Sequence, residues 1–116
     1  MSRVNQKKYG MSKARYDELR AFARQYNELA TEREALLDGT GSVKERAIKA
    51  ADIKSKLELI DYCIDVACKD VPIIKPYLFK NVTEGVEYRS MQVPFYRDGF
   101  LLRRRLFFIE LNKHKK

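Results

Sequence analysis

The sequence predicts an all-α protein, a long antiparallel helical hairpin followed by a compact C-terminal helix–turn–helix-like unit. Three observations carry that prediction. Apolar residues recur mostly at steps of three and four over residues 12–37 and again over 43–71, the spacing of a helix face. A five-residue turn with two glycines separates the runs, so the second helix must fold back along the first. A dense apolar and aromatic run carrying Arg103, Arg104 and Arg105 then closes the chain. The 116 residues are 45% hydrophobic and 34% charged, enough apolar material for one domain with an appendage and too much for general disorder.

Residues 1–11 read as a flexible basic arm with Arg3, Lys7 and Lys8, ended by Gly10. Ser12 is the expected N-cap of the first helix. Its stripe is Tyr16, Leu19, Ala23, Tyr26, Ala30 and Leu37, with Arg33 the one polar intruder. Asp38-Gly39-Thr40-Gly41-Ser42 is the turn, where glycines supply positive φ and Asp and Ser bond locally. Ser42 and Glu45 match a capping box. The second helix follows with the seam Val43, Ala50, Ile53, Leu57, Ile60, Ile64, Ala67 and Val71. Each helix would span roughly 40 Å at 1.5 Å per residue, and each stripe is too narrow to be stable alone, so the two bury each other.

The third region is residues 72–116. Asp70 is the expected cap of a helix with Pro72 near its start, and Ile73, Ile74, Tyr77, Leu78 and Phe79 are expected to point inward. Asn81 to Gly85 reads as a turn, Glu87–Met91 as a short helix, and Val93-Pro94-Phe95-Tyr96 as a connection. The last helix should start between Tyr96 and Asp98 and reach about Asn112, with Asp98 favoured in its first turn by the macrodipole.

The formal net charge of +8 is uneven. Residues 1–20 carry +4, residues 21–88 carry −2 and residues 89–116 carry +6. The basic excess therefore belongs to the two ends, a distribution that points to a polyanionic partner. No run approaches the ~18 apolar residues of a membrane span, and the polar N-terminus lacks the apolar stretch of a secretory signal. Cys63 and Cys68, five apart, fit no metal-knuckle spacing and point to different faces of a helix. They are expected to be free thiols in a reduced bacterial cytoplasm.

Little in the sequence resembles catalytic machinery. The single histidine, His114, is expected to be solvated, and no nucleophile elbow, phosphate-binding loop, zinc helix or paired-cysteine motif is present. The carboxylate pairs Asp61/Asp65 and Glu28/Glu32 lie one helical turn apart and read as solvated faces. A non-enzymatic protein without a cofactor or metal is expected.

The basic segment offers a different chemistry. A helix–turn–helix needs a short first helix, a tight connection and a second helix with cations near its N-terminal half, and residues 73–112 can supply one. Arg97 lies at the start of the last helix, Arg103, Arg104 and Arg105 in its middle, and Arg89 on the preceding short helix. Lys113 and Lys115 follow at the end. The arginine fork binds phosphates and guanine edges through two hydrogen bonds at once. Three consecutive arginines on a helix span about 200° of arc, so they cannot share one groove. At least one must cover apolar surface or pair with an acid such as Glu110. Phe100, Leu101, Leu102, Leu106, Phe107, Phe108, Ile109 and Leu111 leave no wide polar face, so the helix is expected to be buried on more than one side.

The segment V-P-F-Y-R-D-G-F-L-L-R-R-R-L-F-F-I-E-L, preceded by Y-L-F-K-N-V-T-E-G-V-E-Y-R-S-M, resembles small phage and prophage proteins of Gram-positive bacteria. These in turn are similar to RinA/ArpU-type regulators of late phage genes, whose C-terminal part resembles the promoter-reading helix–turn–helix of sigma factors. The likeness in residues covers about 77–111. Where the regulators carry a small apolar pair in the first helix of the unit, this chain holds Tyr88-Arg89, and Val93-Pro94 stands at the turn. The resemblance implies a DNA-binding transcriptional regulator that meets double-stranded DNA and the host RNA polymerase, with Arg97, Arg103 and Arg104 as groove and phosphate contacts. The alternative is a non-enzymatic phage or mobile-element structural protein that oligomerises or binds a host protein through its helices.

Overall fold

The structure is a computed structural model that describes residues 7–116. It is all-α apart from a short ribbon at its start. Of the expected basic arm, residues 1–6 lie outside the described residues. Residues 7–11 join Ser12 in an antiparallel ribbon, β1 (Lys7–Lys8) and β2 (Met11–Ser12), with Lys7 opposite Ser12 and Lys8 opposite Met11. Tyr9 and Gly10 sit at φ 56° and 81°, the pair of positive values that a two-residue hairpin requires. The flexible arm expected over this stretch is instead pinned: Met11 is buried, and the Tyr9 ring packs edge-on to Tyr16 and stacks on Phe108.

Ser12 caps the first helix as expected, its hydroxyl accepting from the Arg15 amide at 3.1 Å. The helix expected over 12–37 is broken, however. α1 (Lys13–Ala23) and α2 (Tyr26–Asp38) are separated at Arg24-Gln25, where the Gln25 amide bonds back three residues to the Phe22 carbonyl. The two halves serve different partners. α1 buries Tyr16, Leu19, Phe22 and Ala23, whereas α2 pairs with α3 (Val43–Ala67) and buries only Leu29 fully. One straight helix could not direct its apolar stripe at both.

α3 starts where the capping signal put it, with the Ser42 hydroxyl accepting from the Glu45 amide. It ends at Ala67, short of Val71, and Leu37 and Val43 are 55% and 72% exposed rather than seamed together. Ala50, Ile53, Ile60, Ile64 and Ala67 are buried as the seam requires. A 3-10 turn (Pro72–Ile74) leads into α4 (Lys75–Glu84). Asp70 caps neither. It is taken by Arg103 instead, and Ile73 turns out to solvent while Ile74 and Leu78 face inward. The turn expected from Asn81 is still helix as far as Glu84. Gly85, at φ 74°, closes it with the left-handed residue that ends many helices. The short helix expected at Glu87–Met91 is a single 3-10 turn, Tyr88–Ser90. α4 and α5 (Arg97–His114) are joined by a twelve-residue connection (85–96), longer than the tight turn expected of a helix–turn–helix.

α5 is the central helix. Phe100, Phe107, Phe108 and Leu111 have no solvent exposure, and α5 packs on α3 most extensively, then on α1 and α4. The same core holds Leu19, Ile60, Cys63, Ile74 and Leu78, each also fully enclosed. Beyond it the far end of the α2–α3 hairpin projects as an arm. The molecule measures 53 × 38 × 23 Å with a radius of gyration of 16.2 Å, against about 13 Å for a compact domain of this length. No helix among the described residues is long and apolar enough to cross a membrane.

Both cysteines are free and buried. Burial, with the Glu110 carboxylate adding to it, pushes the Cys63 thiol up to about 12. Burial pushes Cys68 up to about 11, partly offset by Arg103 and Lys75.

Two predictions follow from the core. Truncating an enclosed aromatic, Phe107→Ala, should cost about 3–5 kcal/mol in urea unfolding, while Leu37→Ala at the exposed hairpin tip should change stability by less than about 0.5 kcal/mol. The folded state also holds both thiol protons more tightly than the unfolded chain, where thiols ionise near 9.0. Stability should therefore be unaffected below that pH and fall as pH rises toward the folded values, by at most about 1.4 kcal/mol per thiol per pH unit. Urea titrations at about pH 8 and pH 10 should show the fall, and a Cys63→Ala, Cys68→Ala variant should show less of it.

Candidate nucleic-acid interface

Stepping 100° per residue around α5 sends the three arginines to three environments. Arg103 turns inward and is 8% exposed. Its Nη2 and Nε donate to the two Asp70 carboxylate oxygens at 2.6 and 3.2 Å, its Nη1 reaches the Gly99 carbonyl at 3.5 Å, and its guanidinium lies 5.6 Å from the Phe95 ring centre. The expectation that one arginine of the triplet pairs with an acid is met, with Asp70 in place of Glu110. A guanidinium held in this way is not available to a phosphate, so Arg103 leaves the set of candidate contacts.

Arg104 forms part of the wall of a cleft. Its Nε donates to Asn81 Oδ1 at 2.8 Å and its Nη1 to the Tyr9 hydroxyl at 3.1 Å, above the Phe108 ring. Asn81 in turn donates to the Val86 carbonyl at 2.9 Å, which ties the loop after α4 to the same point. Arg104 is thus positioned by a chain of hydrogen bonds, while its second terminal nitrogen bonds no described residue. Arg105 is exposed one step further round, and Arg97, seven residues before Arg104, shares its face of the helix.

The cleft holds about 970 Å³ and lies between the end of α1, the ribbon, the loop after α4 and the first turns of α5. Seven cationic residues line it, Lys8, Arg20, Arg24, Arg89, Arg97, Arg104 and Arg105, against two acidic ones, Glu87 and Asp98. Such an excess in one concave surface focuses positive potential where an anion would sit. Among the described residues, the only ion pair made by any of the seven is Arg89 with Glu87 at 3.3 Å. Both of those side chains are largely exposed, and a pair in that setting is worth little. The N-terminus of α5 also opens here, with no side chain capping its first amides, and contributes partial positive charge.

Arg24 and Gly85 approach closely. A Cβ on Gly85 would lie 2.6 Å from the Arg24 guanidinium carbon, so the guanidinium rests directly on the bare glycine.

Of the residues singled out from sequence, the cleft brings together Arg89, Arg97, Arg104 and Arg105. Lys113 and Lys115 lie at the far end of α5. Lys113 reaches Glu110 at 3.4 Å, and the Lys115 ammonium sits 5.0 Å from the Phe22 ring centre, with its carbonyl accepting from Arg15. His114 also bonds Glu110. This bond to His114, more than the nearby Lys113, holds the Glu110 carboxyl below its usual range. Arg20, Arg24 and Lys8 were not legible as site residues. The available signal was the i,i+4 spacing of Arg20 and Arg24 on one helix face.

No protein-family model matches the chain, and no curated protein or solved structure matches it either.

Gly85→Ala should both strain a left-handed backbone and push Arg24 off its seat. A loss of about 1–2 kcal/mol in thermal or urea unfolding is expected. Gly10→Ala, with open space around it, should incur only the backbone cost, and comparing the two isolates the contribution of the Arg24 contact.

Proposed function

We propose that the chain is a non-enzymatic nucleic-acid-binding protein that holds a sugar–phosphate backbone in the basic cleft. The observation that supports this most is the convergence of seven cationic residues on one cleft, six of them without an acid partner among the described residues. Arg104, positioned by hydrogen bonds to Asn81 and Tyr9, has lost freedom before any ligand arrives, so less ordering opposes binding. DNA is the polymer that the C-terminal resemblance points to, and regulation of phage transcription is the corresponding role. In this reading Arg20, Arg24, Arg97, Arg104 and Arg105 contact phosphates, which position a polymer without reading its sequence.

A second reading, an interaction or structural protein of a phage or mobile element, is favoured by a different observation. Ile48 and Tyr62 on the outer side of α3 are 61% and 49% exposed.

Fluorescence anisotropy with a labelled DNA duplex and a labelled single strand tests the first reading. Binding should weaken with salt, with a slope of log affinity on log salt of about −3 to −5 for four to six phosphate contacts. The Arg20→Gln, Arg24→Gln double variant should weaken binding by at least about tenfold, and Lys113→Gln, Lys115→Gln by less than about threefold. Absence of binding to either polymer at about 50 mM salt would overturn it.

A further inference from the structure

α3 carries two stripes. The inner one, from Ala50 to Ala67, packs into α2 and the core. At 100° per residue, Ile48, Ala51, Ser55, Leu59, Tyr62 and Val66 fall within about 80° of arc on the opposite side and run about 27 Å along the helix. Ile48, Tyr62 and Val66 are 61%, 49% and 37% exposed, Ala51 and Ser55 are exposed between them, and Leu59 is half-buried with part of its side chain against the core. Solvated helix faces are normally charged, and a sustained apolar stripe marks a contact surface.

We propose that this outer stripe is a homodimer interface, in which α3 of one copy packs antiparallel on α3 of a second copy about a twofold axis at Ser55. The sequence of the stripe is self-complementary in that register. Ile48 of one copy meets Tyr62 of the other, Ala51 meets Leu59, and Ser55 meets itself, so the small residues fall where the helices approach most closely. The Ser55 hydroxyl already donates to the Ala51 carbonyl at 3.2 Å, so burying it leaves no unmade donor.

The charges in and beside the stripe favour the same direction, Lys44 lying inside its arc and Lys54, Glu58 and Asp65 beyond one edge. Lys44 and Lys54 stand in its N-terminal half, Glu58 and Asp65 in its C-terminal half. Antiparallel pairing sets Lys54 of one copy beside Glu58 of the other and Lys44 beside Asp65, and the twofold makes each pair twice. Asp65 also meets Lys75 at 3.0 Å, yet its side chain is 63% exposed and can accept both. The basic cleft lies on another side of α5, the helix whose His114 packs edge-on against Tyr62. Pairing therefore leaves both clefts of the dimer open.

Sedimentation and disulfide trapping, both without nucleic acid, test the interface separately from the cleft. The protein should sediment as a dimer at micromolar concentration. Ile48→Glu should weaken the dimer by at least about tenfold, since it buries an unpaired charge, with helical circular dichroism unchanged. Lys54→Glu and Glu58→Lys should each weaken it, and the double variant should restore it. Ser55→Cys should cross-link into a dimer on mild oxidation, both native thiols being buried. A wild-type protein that stays monomeric at tens of micromolar, a dimer indifferent to Ile48→Glu, or a Ser55→Cys dimer that does not cross-link would each overturn the proposal.

Discussion

Phe100, Phe107, Phe108 and Leu111 leave α5 no choice of position. They span about 100° of arc, a broad face that α3 alone does not cover. The chain encloses α5 with α3, α1 and α4 together, and the remaining architecture follows from that enclosure. The ribbon at residues 7–12 is ordered because Tyr9 closes over Phe108. The break between α1 and α2 exists because α1 must lie against α5 while α2 continues along α3. Arg97, Leu101, Arg104 and Arg105 stand at one margin of that face, and beyond them the helix presents Asp98, Leu102 and Leu106 to solvent.

Burial of the apolar residues and placement of the cations are consequently one event. A helix turned to bury Phe100, Phe107 and Phe108 carries Arg103 inward to Asp70 and Arg104 to Asn81 and Tyr9. The charge distribution along the chain takes on a spatial meaning as well. The two basic ends are far apart in sequence, yet α1 and α5 are neighbours, so Arg20 and Arg24 from one end meet Arg97, Arg104 and Arg105 from the other. The hairpin between them contributes little net charge and no residue of α2 or α3 to the cleft.

The helices were legible because their signals are local. The Ser42 cap, the Ala50 to Ala67 seam and the start of α5 follow from residues within a few positions of one another. The failures share a different cause. A stripe running through Tyr16, Leu19, Ala23 and Tyr26 looks continuous whether the helix is straight or broken, and only tertiary partners decide. Asp70 makes a reasonable helix cap on paper, and what claims it is a guanidinium 33 positions away. Tyr9 in a basic tail carries no mark of the aromatic ring waiting 99 positions later. The same holds for the site. Arg89, Arg97, Arg104 and Arg105 were found from sequence together with Arg103, but the division of the four on α5 into one buried in an ion pair, one positioned contact and two exposed cations depends on helix phase against a core. Arg20 and Arg24 belong to the site only because α1 packs where it does.

The interruption at Arg24-Gln25 has a mechanical consequence. It is the joint between the rigid body and the projecting arm, and it also forms an edge of the cleft. Arg24 is the last residue before the arm departs, and its guanidinium lies close over Gly85. A change in the arm's angle at this joint would move the backbone that carries one cation of the cleft wall.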